Sequence, residues 1–337
     1  MKTSILAIVV AFGAAAATPS AAAPPAYRVT ATIAGPDGGW DYAKLDPVTH
    51  RLYVARSTSV TVIDIKSAKT LRSIGSFSHG HAVLPISGGR LLVTSGDDAT
   101  VRFLSAGDGH ELGKLAVGSK PDAAILSRDG RQAFVMNADS GTVSLIDVGA
   151  MRITGTITVK PALEYAAQTP DGMVFVNNED AGEIDVIDVA NRTPLASIPM
   201  PGCAAPSGLA YDQPSGRLIA ACANGKAAIV DAKRRALVGL VDIGLGPDAV
   251  LLDAKRRLAF VPCGKDGVLD ILSLAGPTVT RVGRVVTEKG ARTGAIDSAN
   301  GAIYLPTASF AARPGVNGRP VPTPGSFHVL VVRPVAG

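Results

Sequence analysis

Hydrophobic positions along this chain alternate on a short period and cluster into brief β-branched runs. Nothing recurs at the 3.6-residue helical spacing over a useful length. One pattern returns seven times: a large apolar residue, usually Val next, then two small or polar residues. The copies begin at Tyr53, Leu92, Phe134, Phe175, Ile219, Phe260 and Tyr304, at intervals of 39, 42, 41, 44, 41 and 44. Before each copy lies another apolar strand and a turn carrying Asp, Gly or Pro, such as Asp46-Pro47, Asp129-Gly130 or Pro214-Ser215-Gly216. After it comes a β-branched strand ending in Asp, as in Val60–Asp64, Val143–Asp147 and Ile184–Asp188, then a shorter outer strand such as Ile153–Ile157. Four short strands per repeat of roughly 42 residues is the period of one blade of a β-propeller.

The pattern therefore predicts an all-β fold: a seven-bladed β-propeller of four-stranded antiparallel blades. The seventh repeat has only three strands, the last being Phe327–Val331. Val29–Ile33, ahead of the first repeat, matches the outer-strand pattern. The N-terminal strand is thus expected to complete the last blade and leave no open seam. The expected organisation is a signal peptide over 1–22, a linker over 23–26, one propeller domain over 27–333 and a tail over 334–337.

The repeated Tyr/Phe-Val-x-Asn-like strand followed by an apolar run ending in Ile-Asp resembles the YVTN-type, YncE-like propeller repeat of exported bacterial proteins. The Asn is kept at Asn137 and Asn178. Arg56, Ser95, Cys222, Cys263 and Thr307 stand there in the other copies. The resemblance covers essentially the whole mature chain and implies a binding or scaffold protein with no single shared activity.

Composition adds compartment and partners. Lys2 followed by the apolar stretch Ile5–Ala17 and the small residues Ser20–Ala23 reads as a secretory signal with cleavage near Ala22. No Cys stands there for a lipid anchor, and no later segment is long and apolar enough to span a bilayer. A periplasmic or secreted, monomeric protein with no membrane insertion after cleavage is expected. The net charge of +5 comes from basic residues that are scattered or in pairs such as Arg234-Arg235. That argues against nucleic acid as a partner and leaves a small molecule or a protein. Of the three cysteines, an odd count leaves at least one unpaired. Cys203 with Cys222 is one conceivable bridge, buried free thiols are the alternative, and Cys263 repeats the position of Cys222 one blade later.

Candidate chemistry follows from the propeller itself. Inner strands line the axis, so equivalent positions on them form a ring. Five residues before the turn aspartates Asp46, Asp212, Asp253 and Asp297 lie Asp41, Ser207, Asp248 and Arg292; pattern matching adds His81, Asp122 and Glu164. All seven are polar in a chain that is 47% hydrophobic. Four carboxylates on one narrow axis require protons, bases or a cation to coexist. Asp41, His81, Asp122, Glu164 and Asp248 are the expected ligands of a divalent ion, Ca²⁺ or Mg²⁺ ahead of Zn²⁺. A purely structural ring around a water-filled channel fits the same pattern. Trp40 and Tyr165 flank the ring as stacking surfaces or as packing residues. The insertion Phe310–Pro324, with four prolines, is expected on the same face. There is no Gly-x-Ser-x-Gly, His-Glu-x-x-His, phosphate loop or Cys-x-x-Cys-His. Two functions remain: a binding module at the channel mouth, or a metal-dependent, lactonase-like hydrolase using the same residues.

Overall fold

The computed structural model describes residues 26–311 and 320–335. The expected signal peptide over 1–22 lies outside the described residues. Seven separate four-stranded antiparallel sheets follow one another along the chain, and no helix occurs among the described residues. The seventh sheet is built from both ends of the chain. Its outer strand Tyr27–Ala34 pairs with His328–Pro334, from Tyr27 opposite Pro334 to Ala34 opposite His328. The expected closure of the ring is present, and it sets the first blade beside the last.

The repeated motif forms the second strand of every blade. Its side chains are almost wholly buried, as in Leu52–Arg56, Ala133–Asn137 and Leu258–Cys263. A strand apolar on both faces is expected where sheets pack face to face on either side. The outer strands show the contrasting alternation: Ala236–Asp242 exposes every second residue. Phe103, Phe134, Phe175, Phe260 and Tyr304 are the largest fully buried rings, and all stand on second or third strands. They fill the layers between blades, so the fold has a ring of inter-blade cores in place of a single centre.

Polar residues of the motif tie blades together. Asn177 Nδ2 donates to the Ser207 and Gly208 carbonyls of the next blade, at 2.9 and 3.0 Å. Gly208 itself is required by close approach, because a Cβ there would lie 2.5 Å from the Ala249 backbone. Arg56 replaces the motif Asn in blade one. Its guanidinium donates to the carbonyls of Pro36, Gly38 and Gly39 and lies 3.7 Å over the Phe327 ring of blade seven.

Cys203 and Cys222 form a disulfide across 19 residues, and Cys263 is a buried free thiol. Burial and the Asp270 carboxylate push that thiol up to about 12, so it is inert at neutral pH. The disulfide clamps the loop entering blade five to the end of that blade's second strand. Replacing both bridged cysteines, Cys203→Ser with Cys222→Ser, is expected to lower unfolding stability by about 3 kcal/mol for a loop of this size. Equilibrium denaturation with the wild type in oxidised form measures it; an unchanged midpoint would show that the bridge constrains nothing.

Candidate functional site

A repeated backbone device places the ring residues. The residue two positions before the ring position has a left-handed φ in six blades: His79, Lys120, Ala162, Ala205, Gly246 and Gly290, with φ between 47° and 91°. Four of these are not glycine, although a Cβ makes that conformation costly. The chain then enters the inner strand through a register shift. The shift falls between Trp40 and Ala43, Gly80 and Val83, Pro121 and Ala123, Leu163 and Ala166, and Pro206 and Leu209. Asp41, His81, Asp122, Glu164 and Ser207 all sit inside these bulges, which re-aim a side chain out of the pleat. In blades six and seven, Asp248 and Arg292 precede the regular strand by three residues.

The structure brings all seven ring residues to one cavity of about 940 Å³ at the mouth of the axis. Its centre is an imidazole between two carboxylates. His81 Nδ1 donates to Asp41 Oδ2 at 2.8 Å and to Asp122 Oδ1 at 2.9 Å. Burial by itself lowers the basicity of this ring. The hydrogen bonds and charges of Asp122 and Asp41 outweigh it and push His81 up to about 9. Asp122 is buried too, which disfavours its charge. His81, Lys120 at 3.8 Å and a hydrogen bond from Glu164 more than compensate and hold it below the usual carboxylate range.

Glu164 goes the other way. Burial, then repulsion from Asp122, Asp248 and Glu179, raises it to about 10, so it is a neutral donor at pH 7. Burial also raises Asp248 to about 6, against the pull of Arg292, whose Nε donates to Asp248 Oδ2 at 2.8 Å. Arg292 in turn reaches Asp41 Oδ1 at 4.0 Å. Ser207 donates to the Pro247 carbonyl at 3.0 Å and is the one ring member bound only to backbone.

Five wall residues escaped the sequence reading. Lys120, Glu179, Lys265 and Lys289 line the same cavity and Tyr42 forms its floor. Lys120 was within reach of pattern reasoning, since it stands two before Asp122 as His79 stands two before His81. Glu179, Lys265 and Lys289 sit in loops and share no offset, whereas Tyr42 stands on the inner strand of blade one directly after Asp41. Tyr42 lies between this cavity and a smaller one of about 280 Å³ further down the axis, and it lines both. Its hydroxyl is buried without a hydrogen-bond partner. Desolvation, then the carboxylates of Asp248, Glu164, Asp41 and Asp122, keep it protonated well beyond the ordinary phenol range.

The two flanking aromatics do not line the mouth. Trp40 packs against Phe310 and Phe327, with ring centroids 6.2 and 5.4 Å away. Tyr165 stacks near Tyr42 at 4.9 Å and lines the lower cavity. The Phe310–Pro324 insertion does reach the mouth: Phe310 and Pro320 form part of its wall, and Phe310 bridges to Pro322. Residues 312–319 of that insertion lie outside the described residues.

Of the five expected metal ligands, Asp41, His81 and Asp122 form one compact group, with ligand atoms within 4.8 Å of one another. Glu164 and Asp248 are not part of it. The oxygen-rich set expected for Ca²⁺ or Mg²⁺ is therefore reduced to two carboxylates and an imidazole, a donor set suited to Zn²⁺ or Mn²⁺. Such an ion competes with the Nδ1 proton, because His81⁺ already neutralises part of the same negative charge.

The elevated basicity of His81 is directly observable. Its imidazole is expected to titrate near pH 9 by NMR, with the midpoint falling in Asp122→Asn. Because the folded value lies above the unfolded 6.5, the stabilisation is fully present below pH 6.5 and disappears as pH rises through 9. A midpoint at the ordinary histidine value would mean the two carboxylates do not hold a proton there.

No protein-family model matches the chain, and no curated protein does. Among solved structures, the chain is similar to Kuenenia stuttgartiensis hydrazine synthase, with a TM-score of 0.68 and 18% identity over 79% of this chain and 92% of that one. At that identity the likeness shows the fold alone. The chain is a seven-bladed β-propeller.

Proposed function

We propose that this protein is an exported binding module of the YVTN-like type whose site is the cavity at the channel mouth. The observation that carries the reading is the convergence of seven chain-distant polar residues on one cavity of about 940 Å³, a size within the usual range for small-molecule sites. The Cys203–Cys222 disulfide supports an oxidising compartment, and so does the signal-like sequence over 1–22. The motif-like second strands support the family reading. The sequence carries no Gly-x-Ser-x-Gly elbow, and the ring's own charged groups pair with one another, His81 with Asp41 and Asp122 and Arg292 with Asp248.

The test uses protein recovered from the periplasm, with its mass checked for loss of residues 1–22. A small-molecule panel is screened by thermal shift against wild type and Ala223→Trp, which fills the cavity from its wall. At least one compound is expected to stabilise the wild type and not the variant. If every stabilising compound acts equally on both, the mouth is not the site.

A metal-dependent hydrolase is the second reading, and the compact Asp41–His81–Asp122 group is the observation that favours it. An ion held there would supply Lewis acidity and an activated water. Elemental analysis of the same periplasmic sample decides between them. About one equivalent of Zn or Mn, lost in His81→Asn, supports the hydrolase. A metal-free wild type that also fails to turn over a lactone panel leaves the binding module.

A further inference from the structure

The charges around the mouth are not evenly spread. Counted by blade, the side formed by blades one to four carries the four acids Asp41, Asp122, Glu164 and Glu179 against Lys120 and the imidazoles of His79 and His81. The side formed by blades six and seven carries Lys265, Lys289 and Arg292 against Asp248 alone. The three bases there are close in the fold. A Cβ on Gly264, the neighbour of Lys265, would lie 2.8 Å from the Arg292 Cβ, and one on Gly246 would lie 2.5 Å from the Lys265 side chain. Lys289 precedes Gly290, whose Cα packs under the Phe310 ring.

Nearby acids are already engaged. Asp266 accepts from the Leu245 N–H at 2.9 Å, Glu288 pairs with His328 at 3.1 Å, and Asp248 is taken by Arg292. Neither Lys265 nor Lys289 forms an ion pair among the described residues. The independent observation is Tyr42. It is 6% exposed, forms the cavity floor, and its hydroxyl has no acceptor. A buried donor left unpaired costs about 1–3 kcal/mol, which an incoming oxygen would relieve. Surplus donors above and an unpaired donor below call for an acceptor-rich, negatively charged guest.

We propose that the mouth cavity takes a small organic anion, a carboxylate or a phosphate ester. Its charged group is seated on the blade six and seven side by Arg292, Lys265 and Lys289, with an oxygen within reach of the Tyr42 hydroxyl. Arg292 contributes direction, because its Nε is fixed on Asp248 while Nη2 faces Asp41 only at 4.0 Å, beyond hydrogen-bond length, so its outer nitrogens can turn to an oxyanion. The lysines contribute charge from the rim. The Phe310 and Pro320 side chains give an apolar wall for the carbon skeleton beside them. This deepens the binding-module reading and rests on it.

The experiment compares probes of matched length and opposite charge. Glutarate, its neutral diamide and 1,5-diaminopentane are titrated by calorimetry and thermal shift at low ionic strength, where screening is weakest. Glycerol 3-phosphate forms the phosphate arm and separates the two anion classes. The anions are expected to stabilise the wild type, and the diamide and diamine to have no effect. The rim variant Lys265→Gln with Lys289→Gln is expected to bind anions about tenfold more weakly, in line with loss of charge-assisted contacts. Tyr42→Phe, which keeps the ring and removes the donor, is expected to weaken them by about threefold to tenfold. A control pair away from the mouth, Arg234→Gln with Arg235→Gln, removes the same net charge and is expected to change nothing. Stabilisation by the diamine or diamide, lost in Ala223→Trp, overturns the anion assignment while leaving the mouth as a binding site. An anion response that survives the rim variant, or falls equally in the control pair, also overturns it. No difference between wild type and Ala223→Trp for any probe overturns both.

Discussion

A protonated imidazole shared by two carboxylates is the interaction on which the channel mouth depends. Asp41 belongs to blade one, His81 to blade two and Asp122 to blade three. Each is largely removed from water, and an isolated buried charge costs several kcal/mol. Placing His81⁺ between the two anions offsets part of that cost and fastens three consecutive blades at the axis. Arg292 does the same for Asp248 and Asp41 across the seam between the last blade and the first. Glu164, with no base of its own, keeps its proton instead. The ring thus solves its crowding in three ways: shared proton, guanidinium pair and neutralised acid.

This arrangement needs the side chains to leave the sheet plane at the right height, and the backbone supplies that. A left-handed residue followed two positions later by a bulge recurs around the wheel. The bulge breaks pairing with the second strand just where the ring residue stands, so the side chain turns toward the axis rather than into an inter-blade core. Local strain is tolerated because every neighbouring element is fixed: the second strands are buried on both faces and the chain ends are paired. Ser207 marks the exception that clarifies the rule. Its hydroxyl is consumed by the Pro247 carbonyl, and the adjacent Gly208 lets the inner strands of blades five and six approach closely.

Fold and ring position were legible in the sequence because both are periodic. Seven copies of the Tyr53-type strand and the incomplete last repeat dictate blade number and closure, and equal offsets from Asp46, Asp212, Asp253 and Asp297 dictate which residues meet. What was not legible is how those residues divide their charge. Offset and pattern matching together place Glu164 and Asp248 beside Asp41 and Asp122 as equals, whereas burial makes the first neutral and Arg292 claims the second. Trp40 and Tyr165 follow a second limit: adjacency in sequence puts them beside the ring, but strand alternation turns Trp40 to Phe327 and Tyr165 down the channel. The rim lysines had no signal at all, because loops of different length between blades obey no shared period.

Tyr42 is where these levels meet. Its position one residue after Asp41 is set by the same bulge, and its ring separates a charged cavity above from a smaller mixed one below, walled by Ile125, Leu209 and Val250 together with Lys44 and Arg128. A hydroxyl at that boundary must face either apolar side chains or the carboxylates, and both Asp248 and Glu164 act on it electrostatically. Phenylalanine in its place would close the channel equally well and leave no polar atom unpaired. The hydroxyl therefore adds nothing to the closure of the wheel. It gains a role only when the space above it holds an oxygen to accept its proton, which links the architecture of the axis to the occupancy of the mouth.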